Sequence, residues 1–238
     1  MATPPDSLAR SQFIDAVDHA LRQRKSAKAQ RDPLACSPDH TPADFFDQVR
    51  AAVEVAGWAP FHKVAHKEAH FGGALDSVVP WRFYLLDAAA CCRVVAYLRA
   101  QAEANPDSVW SKAWQSKIPK LLAGAGALVL VTWLPDPAEG GGAPTLTDNN
   151  IEHIAAAGAA VQSLLLAAEA RAMHTYWSSG GILATPMLFE RLGVPLNQKL
   201  LAAVFLAPES GAYDAIEGGG LRDKRGGVEH WAVELSGE

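Results

Sequence analysis

The sequence predicts an α+β fold, a mostly antiparallel central sheet flanked by helices, and three observations carry that expectation. Two apolar runs of strand length, Ala127–Leu134 (ALVLVTWL) and Lys199–Leu206 (KLLAAVFL), read as strands buried on both faces. Segments with helical periodicity outnumber those of strand type, and no long internal repeat is visible. The stretch Asn149–Gly181 reads as a nearly all-apolar helix, a short strand and a Trp-Ser-Ser-Gly-Gly turn. From Ile154 to Val161 no side chain is polar, so this helix is expected to be buried on every side, at the centre of the fold or of a subunit interface.

The elements follow in order. Residues 1–11 form a loose, flexible N-terminal extension, and residues 12–238 a single domain. Phe13, Ile14, Val17 and Leu21 lie on one helical face, and a basic tract follows with Arg22, Arg24, Lys25, Lys28 and Arg31. Thr41 is expected to N-cap the next helix, with Pro42 in its first turn; Phe45, Val49, Ala52, Val53 and Ala56 share a face, and the helix stops near Gly57. Residues 59–79 are irregular, and Trp81–Leu86 is a strand. Ala88–Ala104 is helical, and a second helix over 107–122 is bent or ended by Pro119. Residues 135–149 form a Gly- and Pro-rich loop. Met173–Trp177 is a strand, Thr185 caps a short helix, and Val228–Leu235 is expected to pair as an edge strand.

Bulk properties exclude several classes. The 238 residues are 49% hydrophobic and 20% charged, enough for a sizeable core and unlike a disordered chain. A net charge of −5 gives no electrostatic case for nucleic acid. Cys36, Cys91 and Cys92 lack CxxC spacing, and an adjacent pair is a poor basis for a disulfide framework; Cys91 and Cys92 read as packing residues in an apolar helix. The N-terminus lacks the pattern of a secretory signal, and the longest apolar run, interrupted by Gln162 and Ser163, falls short of the roughly 18–20 residues of a membrane span. A soluble protein of the reducing cytoplasm is the expectation.

Three motifs bear on chemistry. Arg24-Lys25-Ser26-Ala27-Lys28 offers cations and a hydroxyl that suit a phosphate, although such a run is more often a solvated face. His62, His66 and His70 fall at helical spacing, yet HExxH order is missing and only Glu68 could complete a metal set, so no metal is expected. Gly124-Ala-Gly126 precedes a strand instead of joining a strand to a helix, which rules out a dinucleotide fingerprint.

The order of these segments is more telling than any one of them. The Arg-x-Ser-x-Lys tract follows a first helix, Ala59-Pro60-x-His62 a second, and Pro80-Trp81 opens a strand. The apolar helix leads to Trp177-Ser-Ser-Gly180, and the basic run Arg222–Arg225 comes last. Over nearly the whole chain, from about Phe13 to about Val233, this resembles the nitroreductase family of FMN-dependent oxidoreductases. The resemblance implies a homodimer with FMN in clefts at the subunit interface, the apolar helix packing on its partner and Gly158 permitting close approach. It assigns Arg24, Ser26 and Lys28, with Lys25, to the FMN phosphate and ribityl chain, and Arg225 and Lys224 to the phosphate from the C-terminal side. Trp177, Ser178, Ser179 and the Gly180 N–H would line the isoalloxazine edge, and His62 would approach the flavin. The implied reaction is ping-pong: NADH or NADPH gives hydride to FMN, and electrons then pass to a quinone, nitroaromatic or similar small oxidant. Because the cofactor carries the chemistry, no catalytic acid, base or nucleophile need stand out. The sequence departs from the family where Pro60 and Pro80 are split by a long insert, whose His66 and His70 would cap the substrate pocket. A flavin-sequestering or flavin-consuming dimer of the same fold is the alternative.

Overall fold

In the computed structural model, residues 10–65, 77–136, 143–235 and 237 are described. Most of the N-terminal extension, His66, Glu68 and His70 of the insert, and part of the 135–149 loop lie outside them. The helices are α1 (Arg10–Gln23), α2 (Phe45–Ala56), α3 (Ala88–Ala104), α4 (Val109–Gln115), α5 (Ile118–Gly124), α6 (Asp148–Glu169) and α7 (Pro186–Leu192). The strands are β1 (Ala27–Gln30), β2 (Trp81–Asp87), β3 (Ala127–Trp133), β4 (Met173–Ser178), β5 (Lys199–Pro208) and β6 (Ala215–Gly218). The fold is α+β, as expected.

The central sheet runs β2-β3-β5-β4, with every pairing antiparallel. Period-two alternation sorts its side chains into two cores. Leu128, Leu130, Ala203 and Phe205 join the core that includes α3, α4, α5 and α7. Ala127, Val129, Val131, Ala202, Val204 and Leu206 face the opposite way, onto α2 and α6. All of β3 is buried, which explains its unbroken apolar run. A second, two-stranded sheet pairs β1 with β6, and a parallel bridge from Ser26 to Thr175 fastens it beside β4.

Several local expectations are corrected. Thr41 does not cap α2: it ends a 3-10 turn, its N–H donating to the Pro38 carbonyl, and Asp44 holds the cap position without a side-chain bond. Pro119 neither bends nor ends a helix. The break falls at Ser116–Lys117, and Pro119 sits in the first turn of α5, where a missing N–H costs nothing. Val228–Leu235 is not an edge strand: Val228–His230 is a 3-10 turn, and the C-terminal strand is Ala215–Gly218. Cys92 is not a simple packing residue, because it is disulfide-bonded to Cys36.

The apolar helix needs two corrections. The full α6 runs 22 residues and is long and apolar enough to cross a membrane by length and composition, contrary to the count from its longest run. It packs instead at the centre of the chain, with Ala157, Ala160, Val161 and Leu164 fully buried. Nor is it covered on every side. Ile151 is 53% exposed, Ala155 is exposed, and a Cβ added at Gly158 would meet nothing within 4 Å. Among the described residues, that strip is left open.

His40 links the fold to pH. Burial holds its imidazole below the ordinary value of 6.5, only partly offset by the bond its Nδ1–H donates to the Ser37 carbonyl. Just below that pH the unfolded imidazole takes up a proton that the folded one resists, so the unfolded state binds more protons. Stability is therefore expected to decline as the pH falls through 6.5. Urea titrations above and below that value check this, and His40→Gln should flatten that part of the profile.

Candidate functional site

The basic tract predicted after α1 becomes a wall of a real cleft. Arg24 follows the last turn of α1, its N–H donating to the Ala20 carbonyl. The chain then extends through Ser26 into β1, so side chains at alternate positions share a side. Across from them the chain returns after β6 through Gly219 and Gly220. Arg24, Lys25, Ser26, Gly219, Gly220, Leu221, Arg222 and Arg225 line a cleft of ≈ 360 Å³. The Gly219 N–H donates to the Ser26 carbonyl at 3.2 Å, and a Cβ at Gly219 would stand 3.1 Å from that of Ser26, so the glycine permits the close approach.

Arg222 stitches the two ends of the chain together. Its guanidinium donates to the carbonyls of Arg22, Gln23 (3.2 Å) and Arg24 (3.4 Å), the C-terminal turn of α1 and the residue beyond it. A cation satisfying carbonyls at a helix C-terminus also opposes the helix dipole. Arg225 is held by the bond from its Nε to the Arg222 carbonyl at 3.2 Å. Among the described residues, no carboxylate pairs with Arg24, Lys25 or Arg225. Unpaired guanidinium and ammonium groups beside a hydroxyl form a donor set for a phosphate group.

One residue of the cleft's lining, Ser26, meets β4. Ser26 bridges Thr175, two residues before Trp177, whose ring is 40% exposed and whose Nε1–H donates weakly to the Leu201 carbonyl at 3.4 Å. Ser178 is buried, and its Oγ accepts the Gly180 N–H at 3.2 Å, so in the free chain that donor is engaged within the turn. Ser179 is exposed. Gly180 has φ +95, where a side chain would be strained, and an added Cβ would meet Leu200 at 2.3 Å. Lys28 lies apart from the cleft's lining, with its ammonium 5.4 Å from the centre of the Tyr176 ring and 3.8 Å from Glu217. Lys117 stands over the same ring at 5.1 Å.

Of the residues predicted to act together, Arg24, Lys25, Ser26 and Arg225 meet in the cleft, while Lys28 and Trp177–Gly180 do not line it and lie further along β1 and β4, past the parallel Ser26–Thr175 bridge. Lys224 is exposed and does not line it. His62 lies elsewhere, its Nδ1 3.6 Å from Glu152 of α6 and its neighbour Phe61 edge-on to Trp81. Arg222, Gly219 and Gly220 also line the cleft, and Lys117 stands over Tyr176, none of them among the residues that the sequence singles out for the site. The first belongs to the basic run that was noticed; the glycines carry no side-chain signal, and Lys117 meets Tyr176 only through the fold.

No family model and no curated protein matches the sequence. Solved structures do match. An FMN-dependent nitroreductase from Mycobacterium smegmatis in complex with NADPH aligns with a TM-score of 0.57 at 16% identity, covering 94% of this chain and 99% of that one. A nitroreductase-like family protein from Bacillus cereus gives 0.56 at 19% identity, covering 90% and 96%. A nitroreductase with bound FMN from Bacteroides fragilis gives 0.51 at 18%, covering 82% and 88%. These likenesses establish a nitroreductase-like fold.

Proposed function

We propose that the protein is an FMN-dependent oxidoreductase that draws hydride from NADH or NADPH and passes electrons to a quinone, nitroaromatic or similar small oxidant by a ping-pong mechanism. The observation that carries this reading is the junction of a cationic cleft, without carboxylate partners among the described residues, with β4, the strand that leads to the Trp177–Gly180 turn, at the Ser26–Thr175 bridge. Such a junction suits a ligand with a phosphate at one end and a flat, polar-edged ring system at the other. Solved proteins of the same fold include a nitroreductase with bound FMN and an FMN-dependent nitroreductase in complex with NADPH.

When bound, FMN would supply two-electron redox chemistry. Arg24, Ser26 and Arg225 would hold its phosphate by charge-assisted hydrogen bonds, with Lys25 adding charge from the rim. Arg222 positions that group by tying the C-terminal tract to α1. Lys28, held near Tyr176 and 3.8 Å from Glu217, would add a cation on the β4 side of the bound group. Trp177 provides an apolar plane that keeps water from the ring edge.

The functional unit in this reading is a homodimer. The open strip of α6 at Ile151, Ala155 and Gly158 supports it, as does α1, which buries no residue while exposing Phe13, Ile14, Val17 and Leu21. A second copy would cover both surfaces and could bring His62 beside a flavin.

Purified protein is expected to be yellow, and to bleach when NADH or NADPH is added without oxygen. A yellow protein that neither nicotinamide reduces would favour the sequestering or flavin-consuming alternative. A colourless protein unable to take up FMN would sink the assignment. Sedimentation should give about twice the 25.3 kDa of one chain.

A further inference from the structure

We propose that Cys36 and Cys92 form a redox-exchange site for a dithiol, outside the flavin cleft, whose state sets how firmly residues 31–44 are held to the body of the protein. Cys36 follows the 3-10 turn Pro33–Ala35, and Cys92 lies in the first turns of α3. Their Cα atoms are 5.6 Å apart and their sulfurs are bonded across a sequence separation of 56. Both residues are half-buried, whereas Cys91 beside them is fully buried.

The segment being tied buries little apolar surface, although His40 within it is half-buried. Neither of its two 3-10 turns, Pro33–Ala35 and Pro38–His40, buries a residue, and Leu34 is 65% exposed. Its upstream end is fixed by polar bonds: the Arg31 N–H to the Lys120 carbonyl at 3.1 Å, Arg31 Nη1 to the Ala212 carbonyl at 2.8 Å, and the Asp32 N–H to Asp214 at 2.7 Å. Between those bonds and the start of α2, the bridge is the covalent anchor.

Exchange has to be driven from outside. Cys91 is adjacent in sequence but points into the core, fully buried, with its thiol pushed up to about 12 chiefly by that burial. It is neither exposed nor ionised, so it cannot act as an internal attacking thiolate. A thiolate of an external dithiol attacks one sulfur, the Cys36–Cys92 bond breaks, and a mixed disulfide forms. The second thiol of the reagent then displaces the remaining protein sulfur. The dithiol loses two electrons and two protons and becomes a disulfide; Cys36 and Cys92 gain both and become thiols.

The inference does not depend on the flavin reading, and its test needs no flavin. Air-equilibrated protein, unfolded without reductant, should show one titratable thiol, and protein treated with dithiothreitol three. Peptide mapping should recover Cys36 and Cys92 linked within one chain. Reduction should speed amide hydrogen exchange at residues 33–40 at least tenfold and lower Tm by about 5–15 °C. Cys36→Ser should match the reduced protein, with no further response to dithiothreitol. Three thiols in the air-equilibrated protein would overturn the proposal. So would exchange at residues 33–40 that is the same in both redox states.

Discussion

Replacing Gly124 with Ala is expected to destabilise the protein by about 2–3 kcal/mol, toward the upper end of what overpacking costs. Gly124 is the last, fully enclosed residue of α5. A Cβ there would stand 2.5 Å from the Ala29 oxygen and 2.9 Å from its carbonyl carbon. Those atoms are backbone, and they cannot swing aside as a side chain could. Ala29 is paired with Ile216 on its far side, and the same strand is bridged through Ser26 to Thr175. Relief would therefore move β1 and the cleft with it. The helix propensity gained from Ala, at most about 1 kcal/mol, is too small to reverse the sign. Gly158→Ala is the contrasting case: nothing lies within 4 Å of its added Cβ, so a lone chain should gain most of that propensity. Denaturant titration of both variants checks the pair. A neutral Gly124→Ala would show that β1 is free to shift, and a destabilising Gly158→Ala would signal a second copy on that face.

Arg24→Ala is expected to weaken FMN binding about 10–100-fold, the loss of a charge-assisted bond of about 1.5–3 kcal/mol. The flavin-free protein should melt as before. It is the Arg24 carbonyl, not its guanidinium, that is engaged with Arg222. Arg222→Ala should differ, weakening FMN and also lowering Tm, because three carbonyls around the end of α1 lose their donor. Rising salt should weaken binding to the natural sequence more than to Arg24→Ala, since the variant has less charge to screen. Fluorescence titration at two ionic strengths measures both effects. Unchanged affinity in Arg24→Ala would place the phosphate elsewhere.

The elements legible in the sequence were those whose burial writes a pattern. Ala127–Trp133 and Lys199–Pro208 are apolar because both faces are covered, and α3 spans Ala88–Ala104, the predicted bounds, after a capping Asp87. The missed strands lack such a pattern. All four residues of β6 are exposed, and β1 is hidden within a run that reads as a charge cluster. The cationic half of the site was visible as composition, because Arg and Lys at alternate positions survive as letters. Its other wall was not, since Gly219 and Gly220 contribute backbone and space. Gly124 and Gly126 do not make a dinucleotide fingerprint, as their place before a strand implies, and their role is packing. One admits the β1 backbone and the other leaves room for the Phe45 ring, which would stand 2.6 Å from an added Cβ. The cysteine pairing was out of reach because no local rule brings together residues 56 positions apart.

Because residues 27–30 pair with residues 215–218, the cleft cannot exist on an unfinished chain. Synthesis proceeds from the N-terminus at roughly 5–20 residues per second, so the Arg24–Lys28 tract waits on the order of ten seconds or more for its far wall. During that interval its cations are an open, weakly selective surface. They become a shaped site only when β6 and Arg222 arrive. A chain cut short before Ala215 carries the charges without the enclosure, so tight retention of a phosphorylated ligand would report that translation had passed β6 and Arg222.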